Sequence, residues 1–225
     1  MFGSVRGFRG LNIYQKVIDG AAPDELLFAD ENSKWPMQWS SDGRYLVFAE
    51  RDPKTQWDIF LLPMDKGPDR RPVPFLHSEF NELAAQISPD GHWMAYSSDE
   101  SGQREVYVRR FPAGDGQIRI SLSGGEQPRW RGDGKELFFV GGDGKMMAVP
   151  IKASVATGTE EASTLAVGAP EPLFGVHLAA SPVEGLFQYD VTADGKRFLL
   201  NSSVGGEVAA PPLNVVVNWD AALNK

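Results

Sequence analysis

Gln86-Ile87-Ser88-Pro89-Asp90-Gly91-His92-Trp93-Met94-Ala95-Tyr96 is the stretch that decides the fold, because the chain carries its pattern four times. The other copies are Gln38-Trp39-Ser40-Ser41-Asp42-Gly43-Arg44-Tyr45-Leu46-Val47-Phe48, Arg129-Trp130-Arg131-Gly132-Asp133-Gly134-Lys135-Glu136-Leu137-Phe138-Phe139 and Asp190-Val191-Thr192-Ala193-Asp194-Gly195-Lys196-Arg197-Phe198-Leu199-Leu200. A short extended run enters a turn, and aromatic and branched residues leave it. Proline at the second turn position presets φ, aspartate bonds the local backbone, and glycine takes a positive φ. That is strand, tight turn, strand: a β-hairpin. Asp143-Gly144 reads as a further hairpin turn within the third repeat.

A third strand follows each turn: Asp58–Pro63, Glu105–Arg109 and Lys145–Pro150. Weaker fourth strands are Pro72–Leu76, Gln117–Ser121 and Pro170–Phe174. Four short antiparallel strands per unit is the blade pattern of a β-propeller. The turn aspartates stand 48, 43 and 61 residues apart. The long last interval holds Ala153–Gly168, rich in Ala, Ser, Thr, Gly and Glu, which reads as a polar surface insertion. A β-sandwich is the competing all-β architecture, but it has no need of one turn and one flanking pattern in every unit.

Asn12–Lys16 resembles a third strand and Glu25–Ala29 a fourth, so the chain opens inside a blade; Leu213–Val217 reads as a third strand near its end. The expected architecture is thus all-β: one propeller domain of about five sheets of up to four antiparallel strands, incomplete or open, or with its outer strands sharing one composite blade. The units are 1–30 (partial), 31–77, 78–122, 123–175 with the insertion 153–168, and 176–225 (partial). Unmatched blade ends invite self-association.

The totals agree with a globular all-β chain. Of 225 residues, 24 are Gly and 16 Pro, which frequent turns explain, while 13 Phe, 6 Trp and 5 Tyr supply core material. The net charge of −8 disfavours nucleic acid and anionic membrane surfaces as partners. With no cysteine, disulfides and thiolate metal sites are excluded. The sequence shows no secretory signal and no apolar run of membrane-spanning length. As written it reads as cytoplasmic, and as extracytoplasmic if it is a piece of a larger exported protein.

The repeated turn resembles the TolB-like propeller family, whose signature is Ser-Pro-Asp-Gly followed by an apolar strand. The resemblance runs from about Leu11 to about Trp219; Gly132 and Ala193 depart from it where the pattern has Pro. Lys34–Lys152 and Asn214-Val215-Val216-Val217-Asn218-Trp219 also resemble the C-terminal propeller region of large bacterial proteins, some of them serine/threonine kinases. No kinase glycine loop or catalytic loop is present, so no kinase activity carries over. Prolyl oligopeptidases share a propeller of this kind, but their hydrolase domain has no counterpart here.

Aligned on the turn aspartate, the residues three before it are Trp39, Ile87, Trp130 and Val191, all apolar. Those four before it are Gln38, Gln86, Arg129 and Asp190, all polar. The alternation puts the two sets on opposite faces of the strand. Since a blade's first strand lies nearest the central channel, the polar set forms a candidate ligand-binding ring, extended by Pro36, Ala84, Gln127 and Gln188 two residues further back. The other reading of these groups is hydrogen bonding between blades. No cofactor, metal site or catalytic residue is assigned. Among the three histidines, His92 follows a turn glycine and His177 lies in a loop-like stretch. His77 has Glu79 and Glu82 near it at no known ligand spacing. Two functions follow. The first is a non-catalytic module binding a protein, peptide or small molecule. The alternative is a small esterase- or lactonase-type hydrolase at the channel mouth, using His77, His177 and nearby carboxylates.

Overall fold

In the computed structural model, which describes residues 1–6, 10–18, 22–154, 164–179 and 185–202, the repeated turn is one hydrogen-bonded device. Ser40 Oγ donates to Asp42 Oδ1 at 2.6 Å, Asp42 Oδ1 accepts the Arg44 N–H at 3.0 Å, and Ser40 Oγ accepts the Tyr45 N–H at 2.9 Å. Ser88 and Asp90 repeat all three bonds, and so do Thr192 and Asp194. In the remaining copy Arg131 replaces the hydroxyl and pairs with Asp133 and Glu136, each at 2.6 Å. Gly43, Gly91, Gly134 and Gly195 take φ between 70° and 75°, the left-handed region open to glycine. The turns at Gly132 and Ala193 close with the same backbone bond as the Pro89 turn. Aspartate and glycine therefore hold the turn, with or without proline.

Each turn joins the first two strands of an antiparallel sheet. Sheet I contains β1 (Phe2–Ser4), β2 (Asn12–Gln15) and β3 (Glu25–Phe28). Sheet II is β4 (Ser33–Trp39), β5 (Tyr45–Asp52), β6 (Gln56–Pro63) and β7 (Val73–Leu76). Sheet III is β8 (Glu82–Ile87), β9 (Trp93–Ser98), β10 (Glu105–Arg110) and β11 (Ile118–Arg119). Sheet IV contains β12 (Gly125–Trp130), β13 (Glu136–Gly141), β14 (Lys145–Ser154), β15 (Thr164–Val167) and β16 (Glu171–Gly175). Sheet V is β17 (Tyr189–Val191) and β18 (Phe198–Leu200). One 3-10 turn, Gly67–Asp69, is the only helical element among the described residues.

Two elements depart from the sequence reading. Sheet I has three strands rather than two, because Phe2–Ser4 pairs with β2; with Gly3 at its centre it shows too little alternation to be read. The insertion is not wholly surface loop: Thr164–Val167 pairs with Ile151–Ser154, and Leu165 and Val167 pack on the core beneath. The expected strand Leu213–Val217 and the Asn214–Trp219 ending lie outside the described residues.

The sheets bury one another in chain order. Ile13 and Leu27 meet Leu46, Phe48 and Leu62 between sheets I and II. Val47, Ile59 and Leu61 meet Ile87, Met94 and Tyr96 between II and III. Trp93, Val106 and Val108 meet Trp130, Leu137 and Val149 between III and IV. Phe138, Val140 and Met146 meet Tyr189, Val191 and Phe198 between IV and V. Each residue three before the turn aspartate packs toward the preceding sheet. Among the described residues no such cluster joins V to I, so the sheets form an open series of blades.

Candidate functional site

The first strands β4, β8 and β12 each carry one extra residue relative to their partner strand, between Pro36 and Gln38, Leu83 and Gln86, and Glu126 and Arg129. A bulge bends the strand and re-aims its side chains. Ala84 and Gln127 sit in two of these bulges at φ of 54° and 57°.

The structure separates the six candidate residues. Gln38 reaches the next blade, where its Oε1 accepts the Ile87 N–H at 2.8 Å. Gln127 is buried: its Oε1 accepts the Gln188 N–H at 2.6 Å, and its backbone carbonyl accepts the Tyr189 hydroxyl at 2.8 Å. Gln86 uses its backbone carbonyl, which accepts Trp130 Nε1–H at 3.1 Å. Arg129 and Asp190 face each other at 3.8 Å, beyond hydrogen-bonding distance. Gln188 Oε1 is buried with no donor.

Arg129 is the exception among these. Its side chain is 21% exposed, its guanidinium carbon lies 3.9 Å from the centre of the Phe187 ring, and its buried Nε has no hydrogen-bond partner among the described residues. Burial lowers its pKa from the ordinary arginine value, opposed by the nearby Asp190 and Tyr189. Tyr189 is buried enough that its pKa is raised well above the usual phenol value.

Phe187 did not figure in the sequence reading, although the signal is present one step further along the repeat. The residues seven before the turn aspartate are Trp35, Leu83, Glu126 and Phe187. Trp35, Leu83 and Phe187 share one apolar cluster with Ala84, Trp57 and Met37. A methyl group added at Gly185 would come within 2.8 Å of Leu83. The segment leading into sheet V therefore lies against the first strands of sheets II and III. Phe187 thus joins Trp35 and Leu83 in one apolar cluster, with Arg129 over its ring.

His77 Nδ1 lies 3.1 Å from Asp58 Oδ2, the spacing of a histidine held by a carboxylate in a catalytic pair. Ser78 Oγ, however, donates to Glu82 Oε1 at 2.5 Å rather than to His77. Asp58 also accepts the Ser78 N–H and the Thr55 hydroxyl. Its repeat equivalents explain it. Asn12 and Glu105, also fully buried at the start of a third strand, accept the N–H groups of Asp30 and Gly124. The three residues clamp the loop that leads into the next blade. His92 is exposed beside its turn; His177 is exposed after β16. Among the described residues, no three His, Asp or Glu side chains lie close enough to hold a metal ion.

Glu82 is 2% exposed, and one of its oxygens has no partner. Burial raises its pKa to about 7, against the bond from Ser78 and helped by the Asp58 charge. A cleft of about 460 Å³ opens beside the start of β12, lined by Gln103, Arg104, Glu126, Val140, Val176 and Leu178 over a floor of glycines. Gly142 in that floor has no room for a side chain: a methyl there would lie 2.6 Å from the Ser123 carbonyl.

No family model matches the chain. An uncharacterized protein of Agrobacterium fabrum is 28% identical over 114 residues, covering 50% of this chain and 37% of that protein. A solved structure assigned as TolB from Agrobacterium tumefaciens superposes with a TM-score of 0.56 at 20% identity, covering 77% of this chain and 61% of that one. One assigned as a 6-phosphogluconolactonase from Bacteroides uniformis gives 0.53 at 16% identity, covering 85% of this chain and 57% of that one. The chain thus spans less than two thirds of each protein's own length. Repeat, blade order and superposition agree on one conclusion: the chain has a TolB-like β-propeller fold.

Proposed function

We propose that this chain is a non-catalytic binding module that takes a protein, peptide or small-molecule ligand where the first strands converge. The observation that carries the reading is Arg129, whose guanidinium lies over the Phe187 ring and whose buried Nε has no hydrogen-bond partner among the described residues. The Gln38 and Gln127 side chains are committed to joining blades, so the unpartnered Arg129 marks a place for an incoming acceptor.

The alternative, a small hydrolase, draws on the His77–Asp58 pair and on the name of one structural neighbour, whose likeness extends to fold alone. The hydrogen bond from Ser78 to Glu82 supports the binding reading, because it turns the nearest hydroxyl away from His77. Self-association belongs to the same proposal: the edge of β1 away from β2 pairs with no strand among the described residues.

A thermal-shift and pull-down screen tests the main reading, with at least one ligand class expected to raise the melting temperature. No stabilisation by any class, together with ester or lactone turnover that disappears in His77→Ala, would reverse the assignment. Sedimentation across concentrations reads self-association.

A further inference from the structure

We infer that the ligand is recognised through a carboxylate, which docks on the free edge of the Arg129 guanidinium. This rests on the binding-module reading and specifies its chemistry.

Arginine presents a rigid fork of donors that matches a carboxylate with two parallel bonds. Arg129 is held for that role from one side only. Phe187 covers a face of the guanidinium, and because Nε is buried while the side chain keeps 21% of its surface exposed, a ligand reaches it through the terminal nitrogens. The carboxylate nearby among the described residues, Asp190, stands 3.8 Å from Nε and is 66% exposed; its Oδ1 accepts the Val191 N–H instead. It lies too far from Nε to hydrogen-bond to it. Low local polarity strengthens any charge-assisted bond made there. The unpartnered Gln188 Oε1 supplies an acceptor in the same junction, suited to a donor such as a ligand amide. No other position of the repeat offers this: Gln38, its equivalent in sheet II, is closed by Ile87, and Gln86 is neutral. In a chain of net charge −8, anions are repelled at long range, so this one cation confers selectivity at contact distance.

The test uses the whole chain with isotope-labelled arginine, reading the Arg129 Nε–H resonance and the dissociation constant. Probes are succinate and its diamide, and a blocked Gly-Asp-Gly peptide and its Asn counterpart. The acids should shift the resonance and the neutral partners should not. Shifts from succinate alone point to small organic acids; shifts from the peptide alone point to an acidic side chain. Arg129→Gln should weaken binding by about tenfold or more, and Arg129→Lys should retain part of it. Asp190→Asn should tighten binding several-fold, since it removes a nearby negative charge that repels an anionic ligand, a direction that damage to the fold does not produce. Equal binding of acids and neutral partners, or undiminished binding in Arg129→Gln, overturns the carboxylate and leaves the binding module standing. Unchanged or weaker binding in Asp190→Asn also counts against it. Absence of binding by every class in the wider screen removes the module reading itself.

Discussion

The junction between sheets II and III and the junction beside sheet V place the same repeat position in opposite circumstances. Gln38 closes the first by accepting a backbone N–H of the following strand. Arg129 stands at the equivalent place and closes nothing, resting on an aromatic ring. The hydrophobic packing differs in the same sense. The II–III cluster holds eleven buried residues, while much of sheet V's share of its own cluster, Val191, Phe198 and Leu200, is only partly buried. A blade repeat thus preserves the turn geometry at each copy, while a single side-chain exchange removes the tie between blades.

The largest effect that sharpens this contrast is in the cores. Met94 is fully buried between II and III, so Met94→Ala should destabilise by about 2–5 kcal/mol in urea unfolding. Leu200→Ala, in the half-buried V side, should cost clearly less. Equal losses would show that the two junctions carry similar weight. Next comes the tie itself. Gln38→Leu leaves the Ile87 N–H without its partner and should cost about 1–3 kcal/mol. Gln86→Leu removes a side chain with no hydrogen bond among the described residues and should stay within about 0.5 kcal/mol. Equal costs would remove the distinction between spoken-for and idle glutamines.

A third test concerns the entry to each first strand. Eight residues before the turn aspartate stand Lys34, Glu82 and Gly125. Lys34 is fully buried but paired with Asp30, Glu50 and the Asn32 carbonyl. Glu82 is buried with one oxygen unpartnered. Its folded pKa of about 7 lies above the ordinary glutamate value, so the folded state holds this proton more tightly than the unfolded chain. Stability from this group is therefore fully present below the unfolded pKa and falls as pH rises through about 4.5 to 7. With allowance for solvent screening the loss is on the order of 1–2 kcal/mol. Glu82→Gln should flatten that part of the profile and exceed the wild type in stability at pH 8. Parallel profiles in the two proteins would mean that Glu82 is ionised at little cost.

Much of this was legible in the sequence. The four Asp-Gly turns gave the hairpins, the apolar residues three before them gave the faces that pack on the preceding blade, and the third and fourth strands fell where their spacing put them. What escaped has physical reasons. Asn12, Asp58 and Glu105 look like ordinary surface polar residues, because a one-dimensional pattern does not show that the following loop folds back onto them. Phe187 lies in a stretch without alternation, ahead of the first residue of its strand, where a strand pattern gives no signal. Thr164–Val167 was hidden by a composition that resembles loop. The six candidate polar residues differ in their partners because a bulge re-aims neighbouring side chains, so equal spacing from the turn does not ensure equal surroundings.

The smallest effect is the most informative about the axis. A guanidinium over an aromatic face contributes about 0.5–1 kcal/mol when partly exposed. Single variants mix that with packing, since Phe187 also covers Leu83 and Trp35. A double-mutant cycle isolates it: Phe187→Leu and Arg129→Met singly and together, with the coupling read from unfolding free energies. Coupling of about 0.5–1 kcal/mol means the ring holds the arginine, and the site exists before any ligand arrives. Coupling near zero means the two side chains are neighbours without mutual preference. Arg129 would then have to be ordered by the ligand itself, and the contrast with the Gln38 tie would be one of rigidity as well as of chemistry.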